Sequence, residues 1–281
     1  MLDWFWCTIA LSCYLLIVVP QYFYTHTWTN VTLHILVLSL YMQWTPGHSI
    51  WFRTRPWLHD FVHKYMRYSV RGPGASMYKT WKTPHIYAAH PHGLFASYST
   101  FWVFHRALLH VRCVTTSLQF IIPGIKDIVS LAGAIPAHRD TIKEALHRGE
   151  SIFMTPGGLR EILHQPYLYT QHWGFLRIAR ETHTPVIPVY VAHITQLYSV
   201  WLFWPWLQSL CLHWLRYPIA ILSYGHLLLP FWPKRPPPDT PIEIWIGTPM
   251  TIQSSESIED AAQRFYTTIK ALETQANKNN K

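Results

Sequence analysis

The chain has 281 residues, enough to bury one large catalytic core with an appendage. Hydrophobic residues make up 49% and charged residues 13%, about half the usual charged share, and the 15 Trp and 16 Tyr suit a membrane interface. A formal net charge of +9 fits an anionic lipid surface; with no basic block, zinc-finger spacing or aromatic RNA-binding motif, a nucleic-acid partner is not expected.

Residues 4–24 carry no charge and are long enough to cross about 30 Å of hydrocarbon as a helix. A second apolar stretch, 28–44, is shorter and interrupted by Asn30 and His34. Residues 1–45 are therefore expected to form a membrane-embedded helical hairpin, either spanning or re-entrant; a buried pair of hydrophobic helices is the alternative. No basic residue precedes the first stretch, which argues against a signal peptide. Arg53, Arg55, Lys64, Arg67, Arg71, Lys79 and Lys82 follow at once, so residues 46–83 read as a basic juxtamembrane linker facing the cytosol. Four scattered cysteines (Cys7, Cys13, Cys113 and Cys211), with no CxxC, fit that reducing compartment.

From residue 84 the pattern alternates. Strands are expected over 85–89, 113–117, 151–155, 186–191 and 242–247, and helices over 94–111, 124–132, 141–148, 174–183 and 257–275. Thr141 and Glu144 read as a capping box opening the third of these helices, and Gly149 as its stop. Such alternation predicts an α/β domain over 84–281, a central mixed sheet flanked by helices. Residues 197–232 interrupt the rhythm with an aromatic stretch broken by Pro205, His213, Arg216, Pro218 and His226. Interfacial helices, the wall of an apolar pocket, or an inserted core helix pair all fit it. The last residues, 276–281, read as a frayed tail.

Three constellations could carry chemistry. His90-Pro91-His92-Gly93 follows a strand and precedes a helix. At a helix N-terminus the His92 imidazole would stay neutral and able to accept a proton, with His90 as a structural or electrostatic partner. A metal site built on the His-x-His pair, or two merely structural histidines, remain open. Pro156-Gly157-Gly158, followed by Arg160 and Glu161, could bring backbone N–H groups to a developing oxyanion, or form an ordinary glycine turn. Arg139-Asp140 precedes a helix, where the arginine could hold a phosphate-bearing substrate or the pair could simply cap the helix.

Together these motifs resemble the type-2 diacylglycerol acyltransferase family of the wider glycerolipid acyltransferase superfamily. The resemblance rests on His90-Pro91-His92-Gly93, Arg139-Asp140-Thr141, Pro156-Gly157-Gly158 with Glu161, and Gly174-Phe175 leading to Pro185-Val186-Ile187-Pro188-Val189-Tyr190. Two departures, at Trp173 and Ala192-His193, mark a divergent member, and a third, at Ser97, is from the superfamily pattern and is shared by the type-2 branch. Ser97 stands where the superfamily has an acidic partner five positions after the histidine, Trp173 replaces a basic residue, and Ala192-His193 replaces Gly-Glu.

The resemblance implies acyl transfer from acyl-CoA to a lipid hydroxyl at the endoplasmic reticulum membrane, with no metal and no bound cofactor. His92 would be the base, His90 and Glu161 its assistants. Gly93, Gly157 and Gly158 would lie near the oxyanion, and Arg139 and Arg160 near the substrate. Diacylglycerol or monoacylglycerol is the expected acceptor, a fatty alcohol or lysophospholipid the alternative, and a homo-oligomer is left open. Two rival readings stand beside it: a metal-dependent lipid hydrolase using His90 and His92, and a lipid-binding protein without catalysis.

Overall fold

The computed structural model describes residues 47–81, 83–94, 96–121, 124–163, 168–202, 221–226 and 233–279, with scattered positions between 33 and 44 and at 206 and 210. The first apolar segment, most of the second, and much of 197–232 lie outside the described residues, as do Cys7, Cys13 and Cys211. Among the described residues no helix is long and apolar enough to cross a membrane.

The elements run in order α1 (Ile50–Arg53), α2 (Pro56–Asp60), a π-helical turn (Phe61–Tyr65), β1 (Ser69–Arg71), β2 (Ile86–His90), α3 (Ser99–Phe104), β3 (Val111–Thr115), α4 (Ile125–Leu131), β4 (Ile135–Pro136) and α5 (Arg139–His147). They continue with β5 (Ser151–Met154), α6 (Gly158–Leu163), α7 (Gly174–Glu181), β6 (Val186–Ala192), β7 (Ser199–Leu202), β8 (Ile221–Tyr224), β9 (Glu243–Ile246) and α8 (Ile258–Asn279). Seven strands form one sheet in the order β1-β9-β6-β2-β5-β3-β4. Only the β6–β9 pairing is antiparallel, so the sheet is mixed as expected.

The central strand explains the architecture. All five residues of β2 are buried, as in a parallel strand covered on both faces. Tyr87 and Ala89 face a cluster built on α3, where Trp102 packs 4.4 Å from the Tyr87 ring. Ile86 and Ala88 face the opposite cluster, built on α5, α7 and α8. His90, next on that second face, meets Phe265 and Tyr266 of α8 at ring separations of 6.0 and 5.6 Å.

Several local expectations shift. The helix read over 94–111 is only α3 and a short 3-10 turn at Arg106–Leu108, because Gly93 and Ala96 take positive φ angles of 65° and 47°, with turns at 93–94 and 97–98. The Thr141 capping box does not form; α5 starts two residues earlier behind His138, which makes no side-chain cap. Its end is as expected: Gly149, at φ 81°, and Glu150 donate N–H bonds to Leu146 and Ala145 in a Schellman motif. The capping pair instead opens α8, where Ser257 and Asp260 bond reciprocally. That helix runs on through the expected tail to Asn279, with Ala276 buried beside Trp245 and Leu272.

Residues 50–71, read as linker, are packed helices and an edge strand. Arg53, read as a cytosolic surface charge, is fully buried. Its guanidinium donates to the carbonyls of Val103 (2.8 Å), Leu109 (2.7 Å), Leu108 (3.3 Å) and Val111 (3.1 Å), clamping α1 to the start of β3. Within 197–232 the described residues include a two-stranded antiparallel sheet, β7 with β8, rather than helices alone.

Candidate active site

β2 and β5 are parallel neighbours, about 4.8 Å apart, so the segments leaving their carboxyl ends are brought side by side. One is His90-Pro91-His92-Gly93; the other is Pro156-Gly157-Gly158, which opens α6 and carries Glu161 in its first turn. Ligands of α/β sheets bind outside such carboxyl ends.

Glu161 is fully buried, and its carboxylate accepts three hydrogen bonds. Oε1 accepts from His90 Nδ1 at 2.6 Å and from the Tyr169 N–H at 2.9 Å; Oε2 accepts from the His92 N–H at 2.7 Å. The carboxylate therefore ties both histidines to α6, through one ring and one backbone amide. Gly157 is required for this. A Cβ there would lie 1.9 Å from Glu161 Cδ, so the carboxylate fills the space of the missing side chain. Gly158 takes a positive φ of 54°, and its N–H is bound to the Thr155 carbonyl at 3.0 Å, so it is not an oxyanion donor.

His92 is held differently. Its Nδ1 lies 2.7 Å from the Gly93 carbonyl oxygen. A carbonyl can only accept, so Nδ1 carries the proton and Nε2 keeps its lone pair. The ring's pKa is lowered chiefly by burial, against the opposing effects of the Gly93 carbonyl and Glu161. The neutral state thus does not come from a helix dipole: α3 begins only at Ser99. His90 also carries its proton on Nδ1, and its buried Nε2 has no hydrogen-bond partner among the described residues.

The other expected residues lie further out. Ser97, at the position of the superfamily's acid, shares a hydrogen bond with the Tyr198 hydroxyl at 2.9 Å; the Gly93 carbonyl holds the His92 ring instead. Arg160 is exposed, its guanidinium 5.1 Å from the Tyr169 ring centroid. Arg139 is an exposed first residue of α5, ion-paired with Glu181 at the end of α7. Among the described residues no group of three or more His, Cys, Asp or Glu side chains is arranged to hold a metal ion.

Sequence reasoning missed three supports. The Tyr98 hydroxyl, fully buried, donates to the Pro91 carbonyl at 2.9 Å and braces the loop between the histidines. The Tyr169 amide holds Glu161, and the Tyr266 hydroxyl bonds the Tyr169 carbonyl at 3.3 Å. The buried stripe of Phe265 and Ile269 at helical spacing marks the inner face of α8, but no sequence signal says that this face meets His90.

The chain spans about half the length of the curated relatives it matches. It is 26% identical over 169 residues to a Bos taurus protein described as "DGAT1/2-independent enzyme synthesizing storage lipids", covering 57% of this chain and 46% of that protein. The Homo sapiens protein of the same description is 25% identical, covering 57% and 47%. Among solved structures, the 1-acyl-sn-glycerophosphate acyltransferase PlsC of Thermotoga maritima aligns with a TM-score of 0.49 at 14% identity, covering 78% of this chain and 79% of that one. The Diacylglycerol acyltransferase family model matches residues 21–271, nearly the whole chain, including both histidines, the double glycine and Glu161: the chain belongs to that family.

Proposed function

We propose that the protein transfers a fatty acyl group from acyl-CoA to the hydroxyl of a glycerolipid, diacylglycerol or monoacylglycerol, with His92 as general base. The observation that carries this reading is the Nδ1 bond of His92 to the Gly93 carbonyl, which leaves Nε2 as a lone-pair base on a ring whose pKa burial lowers. In this mechanism Nε2 takes the proton of the acceptor hydroxyl as its oxygen attacks the thioester carbonyl. Collapse of the tetrahedral intermediate expels the CoA thiolate, which takes that proton back from His92. The N–H groups of Gly93 and Gly157 are the proposed oxyanion donors, since those of His92 and Gly158 are already bound.

His90 and Glu161 act as positioning residues. They fix the backbone from which the base projects and set a negative charge near the imidazolium that forms. Arg160, exposed beside this segment, and Arg139 are proposed contacts for the phosphates of the CoA moiety. The proposed setting is the endoplasmic reticulum membrane, with the catalytic domain in the cytosol. The test is a microsomal assay with labelled oleoyl-CoA and separate diacylglycerol, monoacylglycerol, fatty alcohol and lysophospholipid acceptors, with and without chelator. Chelator-resistant label entering a glycerolipid is the expected result; label released as free fatty acid and abolished by chelator would replace transfer with metal-dependent hydrolysis.

A further inference from the structure

Charge is divided unevenly along the chain. Residues 1–126 hold ten Lys and Arg against two Asp, whereas residues 127–281 hold thirteen Lys and Arg against twelve Asp and Glu. Nearly all of the net +9 therefore belongs to the first part, which contributes α1 to α3 and leads into α4.

That same part exposes large apolar side chains on adjoining elements. On α1 and α2, Ile50, Trp51 and Trp57 are 56%, 55% and 46% exposed. Ile125 and Ile128 of α4 are 38% and 40% exposed, three residues apart on one side of the helix, and Ile121, four residues before the helix starts, is 60% exposed. The two groups are joined: the Ser49 N–H donates to the Leu131 carbonyl at 3.1 Å, linking the start of α1 to the end of α4. The Arg55 guanidinium lies over the Trp51 ring, 3.3 Å from its centroid, a cation carried on an aromatic at the edge of this face.

We propose that the surface formed by α1, α2 and the Ile125-Ile128 side of α4, with Ile121 before it, lies directly on an anionic lipid surface. Three observations favour lipid over a protein partner. The face combines Trp and Ile with arginine, as interfacial anchors do, and of the two acids on these elements Asp60 is engaged by Lys64 and Asp127 of α4 is buried against the Tyr41 hydroxyl. It is also continuous with the apolar segment ending at Trp44, because Lys126 of α4 donates to the Trp44 carbonyl at 2.6 Å and also to that of Tyr41. The opposite face of the sheet, under α5, α7 and α8, has mixed charge, Glu181 pairing with Arg139 and Lys143 and Glu256 with Arg264, and among the described residues its helices expose no large apolar side chain, so it would be turned away from the lipid.

This orientation has a consequence for substrate entry. The β3–α4–β4 connection leaves the carboxyl edge of the sheet, so Ile121 and the start of α4 lie at the same edge as His92. Lipid at the start of α4 would meet the domain at that edge. The inference stands on the exposed face and does not depend on the acyl-transfer reading.

The test places an environment-sensitive fluorophore (NBD) at Ile125→Cys, or at Gln263→Cys on exposed α8, in the full chain with Cys7, Cys13 and Cys211 replaced by Ser. The buried Cys113, its thiol pushed up to about 12, stays unlabelled. Phosphatidylcholine vesicles with and without phosphatidylserine carry a shallow spin-labelled quencher. The expected result is a blue shift and at least twofold quenching at position 125, stronger with phosphatidylserine and weakened by Arg55→Glu, with position 263 unchanged. Equal responses at the two positions would overturn the proposal. So would shielding of position 125 in detergent alone that rises with protein concentration, which would assign the face to a second copy of the chain.

Discussion

The Nδ1 of His92 and the carbonyl oxygen of Gly93 lie 2.7 Å apart, and this one bond does for the ring what a carboxylate does in a conventional histidine dyad. A neutral acceptor fixes the tautomer but offers less stabilisation to the imidazolium. The nearby Glu161, bound to the His92 amide, supplies that charge at one remove.

The pH dependence of transfer follows from the sign of the shift. A general base must be neutral, and burial lowers the His92 pKa below its ordinary 6.5. Activity is therefore expected to be level through pH 7 and to fall only as pH drops below 6.5 through the lowered value. A pH profile of kcat/KM with an acid limb above pH 7 would contradict this assignment.

Replacing Gly157 with Ala tests the packing of the carboxylate. The added methyl would sit 1.9 Å from Glu161 Cδ, so Glu161 must leave its site. The expected outcome is loss of transfer by at least about 100-fold, matching Glu161→Ala, because positioning errors near 1 Å cost this much. Gly158→Ala, with no neighbour within 4 Å of its Cβ but a positive φ, should cost about 1 kcal/mol of stability and far less activity.

Glu161→Gln keeps the shape but not the acceptors. Three N–H donors converge on the carboxylate, and an amide NH2 must face at least one of them. Thermal unfolding is expected to show a loss of about 2 kcal/mol or more, together with a fall in kcat. Retention of full stability would mean that the three bonds do not coexist.

Arg53→Met should destabilise the chain by about 3 kcal/mol, since four carbonyl groups lose their donor inside the protein. Burial lowers the arginine pKa to about 10, so the guanidinium stays charged at neutral pH and the effect should not vary between pH 6 and 8. Denaturant melts of the two chains would measure it.

His105 makes a separate, acid-sensitive contribution. Burial, then Lys79, His63 and His59, lower its pKa from 6.5 to about 4, and its Nδ1 accepts the Ala107 N–H at 3.2 Å. The unfolded chain takes up a proton there as pH falls below 6.5, while the folded chain resists until about 4, so stability should decline across that window. His105→Asn, which can accept the same bond without titrating, is expected to flatten the decline in urea melts.

Strands and helices of the covered sheet were legible because their residues obey local rules. Val186–Ala192 is a continuous apolar run, and Gly149 marks the stop of α5. What failed were readings that depended on tertiary partners. Residues 94–98 look helical, but the positive φ values at Gly93 and Ala96 shape the turn that follows His92. Arg53 looks like a membrane-flanking charge until the carbonyls of residues 103–111, some 50 positions away, close around it. His92, His90 and Glu161 were singled out from spacing and resemblance, and the structure brings them into one hydrogen-bonded group. Which nitrogen meets which oxygen was not readable, since those bonds depend on how β2 and α6 are brought together.

The most direct test of the account is the transfer rate of His92→Ala beside wild type, both shown by circular dichroism to be folded, with labelled oleoyl-CoA and the accepted glycerolipid. Loss of general-base catalysis predicts a fall of about 100-fold or more with no comparable change in acceptor KM. A variant that transfers label at the wild-type rate would contradict it, and would leave the His90–Glu161 group as a structural knot with no base beside it.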